Sequence, residues 1–291
     1  MILVTQTDVA GKRINEQEAV RLICEAGFDA IDYSMFDMHN PDYILNTPEY
    51  KKHVLELKKI ADGYGKPFNQ AHSPFPSYKV GDDEYNVQIF DKIKRSVEIA
   101  GILGVKNIVV HPTDYQVPSK ENLKRNAEFY GKLAPLCREY NVKIAVENMF
   151  GRDRRRDCII PNICSIGEEF REMMEMLDPD CFTACVDIGH AGLVGTTAPD
   201  MIRTLGNEYV GCLHVHDNDY THDRHFPPYM FDLDWDEITQ ALADINYEGA
   251  FTFESDELFR NIPVEVFPSG LRFLHDIGRS LVNQLESKKA K

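Results

Sequence analysis

Acidic and imidazole side chains in this sequence lie at the ends of short apolar runs, where they could bind a metal ion. Four of them lie within or directly after the last residues of such runs: Glu147, Asp187, His214 and Glu254. A mixed carboxylate and imidazole set suits Mn²⁺, Co²⁺, Mg²⁺ or Zn²⁺. Three converging acids would repel one another without a cation, and a bound divalent ion removes that penalty. The pattern therefore predicts one divalent metal ion per chain, provided that the fold brings these residues together.

Eight short runs of apolar or β-branched residues indicate the elements that must position this site. The runs are Ile2–Val4, Ala30–Tyr33, Phe68–Ala71, Ile108–Val110, Ile144–Val146, Thr183–Val186, Cys212–Val215 and Phe251–Phe253. Continuous apolar runs of this length are typical of buried parallel strands. Between them lie amphipathic helical patterns, such as the apolar stripe of Phe90, Ile93 and Val97. Eight strand–helix repeats without a linker-like stretch predict an α/β protein, a single-domain (β/α)8 TIM barrel over residues 1–291.

Capping residues indicate where several predicted helices begin and end. Gly27, Gly63, Gly104 and Asn141 each come shortly before a predicted strand, as expected of residues that end a helix in the left-handed conformation. Ser165 and Glu168 have the spacing of a capping box, which predicts that the Ser165 side chain caps the next helix.

Further histidines follow other predicted strands, on the face of a barrel where active sites are built. His72 follows the third run, His111 the fourth and His190 the sixth. A single strand-end histidine is more often a hydrogen-bonded structural residue, and this interpretation is favoured for His72 or His111 taken alone. Beside the four metal-site residues, all three are candidates for substrate binding. Residues 216–218 either support the metal ligands or close the turn after the seventh strand.

The arginine-rich run Arg152–Asp157 follows the fifth predicted strand and so lies on the same face. Asp153 and Arg156 are candidate substrate-binding residues, since a guanidinium there could bind a phosphate or carboxylate of the substrate. The slightly favoured alternative is an exposed loop whose arginines pair with the abundant surface acids.

The composition restricts the partners and the compartment. A formal charge of −15 and a pI near 5.1 disfavour nucleic acid, because an acidic surface repels phosphate backbones. The first residues lack the basic and apolar regions of a signal peptide, and no apolar run reaches membrane-spanning length. Seven cysteines without a CxxC pair are typical of reduced thiols. We expect a soluble cytoplasmic protein that acts on a small molecule and has no membrane partner.

Several motifs together resemble the xylose isomerase-like barrel superfamily of sugar isomerases, ketose 3-epimerases, inosose-processing enzymes and apurinic endonucleases. They are VENM (146–149), CVDIGHAG (185–192), LHVHDND (213–219), DRH (223–225) and FTFES (251–255). The resemblance extends from the first predicted strand to the eighth. It is fairly specific for the superfamily and does not specify one reaction.

The resemblance to ketose 3-epimerases implies that one metal ion is bound by the same four residues, Glu147, Asp187, His214 and Glu254. It also implies that His190 contacts substrate oxygens. Two positions depart from that pattern, because Tyr220 replaces a substrate-binding arginine and Asp153 replaces a glutamate. These departures bear on which sugar is bound.

The resemblance to the endonucleases implies additional ligands for a three-zinc cluster. They match His72, His111, His190, Asp223 and His225. The acidic charge and the lack of a basic DNA-binding face argue against a nucleic-acid substrate. The sequence therefore favours a sugar-processing protein over a three-zinc phosphodiesterase.

The preferred prediction is a metal-dependent isomerase or epimerase that acts on a small sugar through an enediolate. Glu147 and Glu254 come from non-adjacent strands and could flank the substrate, one removing a proton and the other returning it. The metal would stabilise the charge that develops on the substrate oxygens. A three-zinc phosphodiesterase, a non-catalytic sugar-binding barrel and a β-eliminating enzyme remain alternatives. A homo-oligomer is also expected, solely because barrels of this kind often associate.

Overall fold

Eight parallel strands form the centre of the protein in a computed structural model that describes residues 1–290. The strands of the barrel are β1 Leu3–Gln6, β2 Ala30–Ser34, β3 Phe68–His72, β4 Asn107–Val109, β5 Lys143–Glu147, β8 Phe182–Asp187, β9 Val210–His214 and β10 Phe251–Phe253. Two further strands, β6 Phe150–Asp153 and β7 Cys158–Pro161, form a separate antiparallel hairpin. Pairing runs in the order β10, β1, β2, β3, β4, β5, β8 and β9. A parallel bridge between Val215 and Phe253 joins β9 to β10, so the sheet closes. The predicted single-domain (β/α)8 TIM barrel is confirmed.

Helices surround the barrel and bury their apolar faces against it. They are α1 Asp8–Arg13, α2 Glu16–Ala26, α3 Tyr50–Gly63, α4 Asp83–Leu103, α5 Ser119–Gly131, α6 Ala134–Tyr140, α7 Gly167–Glu175, α8 Ile188–Leu193, α9 Ala198–Tyr209, α10 Trp235–Asp244 and α11 Phe267–Lys289. The predicted stripe on α4 is present, because Ile93 and Val97 are fully buried. Within residues 1–290, no helix combines the length and apolar character needed to cross a membrane.

The predicted helix ends are confirmed at the left-handed residues. Gly27 ends α2 with φ 104°, Gly104 ends α4 with φ 78°, and Asn141 ends α6 with φ 55°. Glycine adopts such angles without a steric penalty, and asparagine tolerates them better than most residues. At the fourth predicted end, Gly63 is the last residue of α3, but the left-handed residue is Gly65, with φ 65°.

The predicted capping box at Ser165 is wrong. Helix α7 begins at Gly167, and its capping position is Ile166, whose side chain makes no cap. The Ser165 hydroxyl instead donates to the Asn162 carbonyl (2.7 Å) and accepts from the Asn162 N–H (3.1 Å). The loop after β7 satisfies this hydroxyl locally, and this competition is not visible in the residue spacing.

Small side chains fill the barrel below its C-terminal face. Side chains alternate along a strand, so each residue points the same way as the residue two positions later. The pairs are Ala145 with Glu147, Cys185 with Asp187 and Cys212 with His214. The first members of these pairs and Val109 form one buried cluster. Packing below the rim therefore holds the strand ends, and the side chains they carry, at fixed positions.

Candidate metal centre

The four predicted metal ligands lie at the C-terminal rim of neighbouring strands. Glu147, Asp187 and His214 are the last residues of β5, β8 and β9, and Glu254 directly follows β10. Asp187 and His214 are register partners, and Glu147 pairs with the Cys185 position. All four side chains are buried, the most accessible being Glu254 at 6%. The sequence therefore placed these residues correctly on the rim.

The donor atoms of these four residues converge. One ligand atom from each can be chosen so that all lie within 4.8 Å of one another. His214 Nδ1 is 3.0 Å from Glu147 Oε1 and 3.2 Å from Glu254 Oε2. Ligands about 2.1 Å from a tetrahedral or octahedral ion are separated by about 3 to 4.2 Å. The arrangement has the dimensions of a coordination sphere.

Two buried atoms of this group lack a protein partner that satisfies hydrogen-bond geometry within residues 1–290. They are Glu147 Oε2 and His214 Nε2. In the same described part of the chain, the charged partners within 4.0 Å of the Glu147, Asp187 and Glu254 carboxylates are all histidines. Three buried carboxylates without lysine or arginine require another source of positive charge. The donor set therefore fits a divalent cation.

The surrounding charges set the ionisation of Glu147 and His214. Burial alone raises the pKa of Glu147, but His214 and His111 outweigh it and hold this pKa well below its usual value. Burial lowers the pKa of His214, while Glu254 and Glu147 raise it well above the usual range. Without a cation, the histidine must carry the positive charge that the carboxylates need, so a metal ion and this proton would compete.

A second donor group shares Glu147 and adds His72 and His111. His72 Nδ1 is 2.7 Å from the Ser73 carbonyl, to which it can only donate, so its Nε2 carries the lone pair. This Nε2 lies 3.0 Å from His111 Nε2, which is 2.8 Å from Glu147 Oε2. Burial lowers the pKa of both histidines and favours the neutral ring that binds metals.

A third donor group consists of His190, His216, Asp223 and His225. His190 Nδ1 faces the Asn148 carbonyl and His225 Nδ1 faces the Glu254 carbonyl, each at 2.9 Å. Both Nε2 atoms face Asp223, at 3.7 and 2.9 Å. Burial lowers the pKa of both rings, but Asp187 and Asp223 raise that of His190 to about 10, and Asp223 and Glu254 raise that of His225 well above its usual value. A metal ion at this group would therefore displace the proton from each Nε2.

His216 is the member of this group that the sequence interpretation treated only as a supporting residue. Its ring is buried, stacks on His225 at 4.1 Å between centroids, and places Nε2 3.0 Å from Asp187 Oδ1. A Cβ on Gly189 would lie 2.0 Å from the His216 ring. Gly189, directly before His190, was the one sequence signal for this packing, because another side chain can approach the backbone this closely only where the residue has no side chain of its own.

The remaining predicted site residues, Asp153 and Arg156, lie on the β6–β7 hairpin and do not line the cavity. The Arg156 side chain is 79% exposed and 3.6 Å from Asp153, whose carboxylate also accepts from the Arg155 and Arg156 N–H groups. Arg152 pairs with Asp157. Substrate binding by the hairpin stays a prediction.

The cavity above the metal centre has a volume of about 430 Å³. All three donor groups reach its wall through His111, Glu147, His190 and Glu254. Phe75 stacks on His111 at 4.8 Å, and Phe150 packs edge-on against His190 at 4.9 Å. The space suits a ligand of monosaccharide size or somewhat larger, held between aromatic walls and a polar floor.

The chain belongs to the xylose isomerase-like TIM barrel family, whose model matches residues 20–277. The resemblance inferred from the motifs is therefore confirmed. An uncharacterized protein of Sinorhizobium fredii is 28% identical over 209 residues, which are 69% of this chain. The chain spans 63% of the length of that relative.

Solved structures share the fold over nearly the whole chain. A D-tagatose 3-epimerase-like protein superimposes with a TM-score of 0.72 and 21% identity, covering 97% of this chain and 100% of the other. The IOLI protein with a bound zinc atom gives a TM-score of 0.76 and 17% identity, covering 97% and 99%. At such identities the likeness establishes the fold, and function requires an argument from the site.

Proposed function

We propose that this protein is a divalent-metal-dependent isomerase or epimerase of a small sugar or sugar derivative. The carrying observation is the convergence of Glu147, Asp187, His214 and Glu254 donor atoms within 4.8 Å at the rim of a sugar-sized cavity. The family and its epimerase-like and zinc-containing structural neighbours support this proposal.

In the proposed reaction, one glutamate removes a proton from the carbon next to the substrate carbonyl, and a second glutamate returns a proton to the substrate. A divalent cation, when bound, supplies Lewis-acid stabilisation of negative charge on the substrate oxygens. Glu147 and Glu254 stand on non-adjacent strands and both line the cavity, so they can approach a substrate from different sides. The ionised form of Glu147, favoured by neighbouring histidines, would remove the proton, and Glu254 would have to start protonated in order to return one to the other face of the carbon.

Neighbouring side chains have roles in binding and orientation. Asp187 and His214 hold the cation, and His190 hydrogen-bonds substrate oxygens from the cavity wall. Asn148 fixes two of these groups, because its Nδ2 donates to the Asp187 carbonyl and its own carbonyl accepts from His190 Nδ1. Phe75 and Phe150 restrict the access of water to the reacting carbon.

The proposal is tested by incubating metal-loaded protein in D₂O with ketoses, aldoses and keto-inositols, and by following deuterium at the α carbon. Glu254→Gln should fold with the same secondary structure and lose exchange by roughly a hundredfold or more. Retained exchange in this variant would remove its proton-transfer role. Binding of a sugar without exchange by the wild type would instead support the non-catalytic barrel.

A second candidate function, a three-zinc phosphodiesterase, is favoured by one observation. The first two donor groups share Glu147, and Asp187 of the first group lies 3.0 Å from His216 of the third. Elemental analysis distinguishes the candidates: the isomerase proposal expects about one metal per chain and the phosphodiesterase about three. The formal charge of −15 argues against a nucleic-acid substrate even if three ions are present.

A further inference from the structure

A groove adjoins the cavity of the metal centre and continues it across the surface. The groove has a volume of about 620 Å³ and shares Ser77 and Tyr78 with the wall of the central cavity. It extends toward Phe90 on α4 and Phe129 on α5. Each space has a volume within the usual range of ligand sites, and the two adjoin at Ser77 and Tyr78.

Ser77 lies where the two spaces adjoin, and its hydroxyl oxygen is unpaired within residues 1–290. The residue is only 3% exposed, and its Oγ has no hydrogen-bond partner among residues 1–290. A buried hydroxyl without a partner is unfavourable, and native proteins rarely keep one without a reason. Ser77 lines both spaces, so a small rotation of its side chain would let a ligand that passes between them supply the missing hydrogen bond.

The lining of the groove combines aromatic faces with charged side chains of both signs. Tyr78 and Tyr115 are half-buried and pack with ring centroids 4.9 Å apart, and Phe90 packs on Phe129 at 5.7 Å. Aromatic faces pack well against the C–H faces of a pyranose ring, while the polar edge binds its hydroxyls. The charged residues of the groove are Asp83, Asp91, Arg125, Glu128 and Lys132. Their mixed signs suit a neutral polar group better than a phosphate.

We propose that the substrate is a glycosylated keto-sugar whose second ring occupies this groove. The reacting unit binds at the metal centre, the linkage passes Ser77 and accepts or donates a hydrogen bond at its Oγ, and the second pyranose packs on Tyr78 and Tyr115. This inference rests on the proposed sugar isomerase or epimerase function and specifies the size and class of its substrate.

Calorimetry of the Mn²⁺-loaded protein with D-fructose and with its 3-, 4- and 6-O-glucosyl derivatives tests the inference directly. At least one disaccharide should bind about tenfold or more tightly than fructose, as expected when a second ring gains a packed site. Equal or weaker binding of all three disaccharides would overturn the inference, whatever the turnover.

Variants locate the preference in the groove. Ser77→Ala and Tyr115→Ala should each lower the affinity ratio of disaccharide to fructose by about fivefold or more. Tyr64→Ala is the matched control, because Tyr64 is a partly exposed tyrosine at the end of α3, on the opposite face of the barrel. An unaltered ratio in both groove variants would overturn the assignment. A Ser77 hydroxyl without a role in ligand binding would leave this ratio unaltered on truncation, because it makes no hydrogen bond within residues 1–290.

Deuterium exchange with the same sugars keeps the two proposals separate. Exchange on fructose without a binding preference for disaccharides contradicts the groove inference and leaves the proposed function standing. A tenfold preference without exchange on any sugar contradicts the proposed function and retains the groove as a binding site for the second ring.

Discussion

The candidate metal centre and the β6–β7 hairpin both carry many charges, but they differ in burial and in the pairing of those charges. Glu147 ends β5 with 1% exposure and contacts histidines, whereas Arg156 on the adjacent hairpin is 79% exposed and lies near Asp153. Buried carboxylates without lysine or arginine partners demand a cation, while exposed pairs are satisfied by solvent and by each other. Burial and unmet pairing, rather than charge density, therefore indicate a functional site.

The largest expected difference between these regions follows from removing one carboxylate charge in each. Glu147→Gln should lose about a thousandfold in deuterium exchange and most of the bound metal, because two donor groups share this residue. Asp157→Asn on the hairpin is the matched control and should keep both, because this exposed carboxylate pairs with Arg152 and belongs to none of the donor groups. Elemental analysis and exchange rates are measured for both variants. Full metal content in Glu147→Gln would contradict the shared-ligand arrangement.

The metal dependence of stability gives the next largest effect. Protein stripped by a chelator should gain about 2.7 kcal/mol of unfolding free energy when Mn²⁺ or Zn²⁺ is added at a hundred times its dissociation constant. Denaturant unfolding with and without the ion measures this gain. The gain should disappear in Glu147→Gln and persist in Arg156→Ala. A metal-independent midpoint in the wild type would argue against a specific site.

Gly189→Ala tests the packing that supports the third donor group. The added Cβ would lie 2.0 Å from the buried His216 ring, so the ring or the start of α8 must move. We expect a loss of roughly 1–3 kcal/mol in unfolding free energy, typical of overpacking. Gly151→Ala on the hairpin is the control, since its nearest contact is an ordinary 3.4 Å to Ile160. Equal stability of both variants would contradict the close packing.

The barrel fold and the residues on its C-terminal rim could be predicted from the sequence because both follow from the pattern of apolar runs. Strand cores are continuous apolar runs, and the parallel direction of all eight strands places every strand end on one face. Glu147 and His214 could therefore be assigned to the rim without coordinates. Their convergence, the role of His216 and the failed cap at Ser165 depend on side-chain directions and loop contacts, which residue spacing does not encode.

The hairpin escaped prediction for a related reason. Its strands, Phe150–Asp153 and Cys158–Pro161, are short and partly exposed, and neither FGRD nor CIIP shows the alternation of a half-buried strand. The turn between them depends on Asp157 at φ 53° and on the Asp153 side chain accepting backbone hydrogen bonds. Such local contacts indicate an exposed turn only after the chain is folded.

The smallest expected effect is that of Arg156→Ala, which tests whether the hairpin binds substrate. Because the side chain is largely exposed and its Asp153 contact is 3.6 Å, the unfolding free energy should fall by less than about 0.5 kcal/mol. The ratio of kcat/KM for a phosphorylated sugar to that for its neutral counterpart should stay within about twofold of the wild type, since a screened, paired guanidinium contributes little. A selective loss on the phosphorylated sugar would show that the hairpin folds over the cavity during binding and would extend the functional site to its arginines.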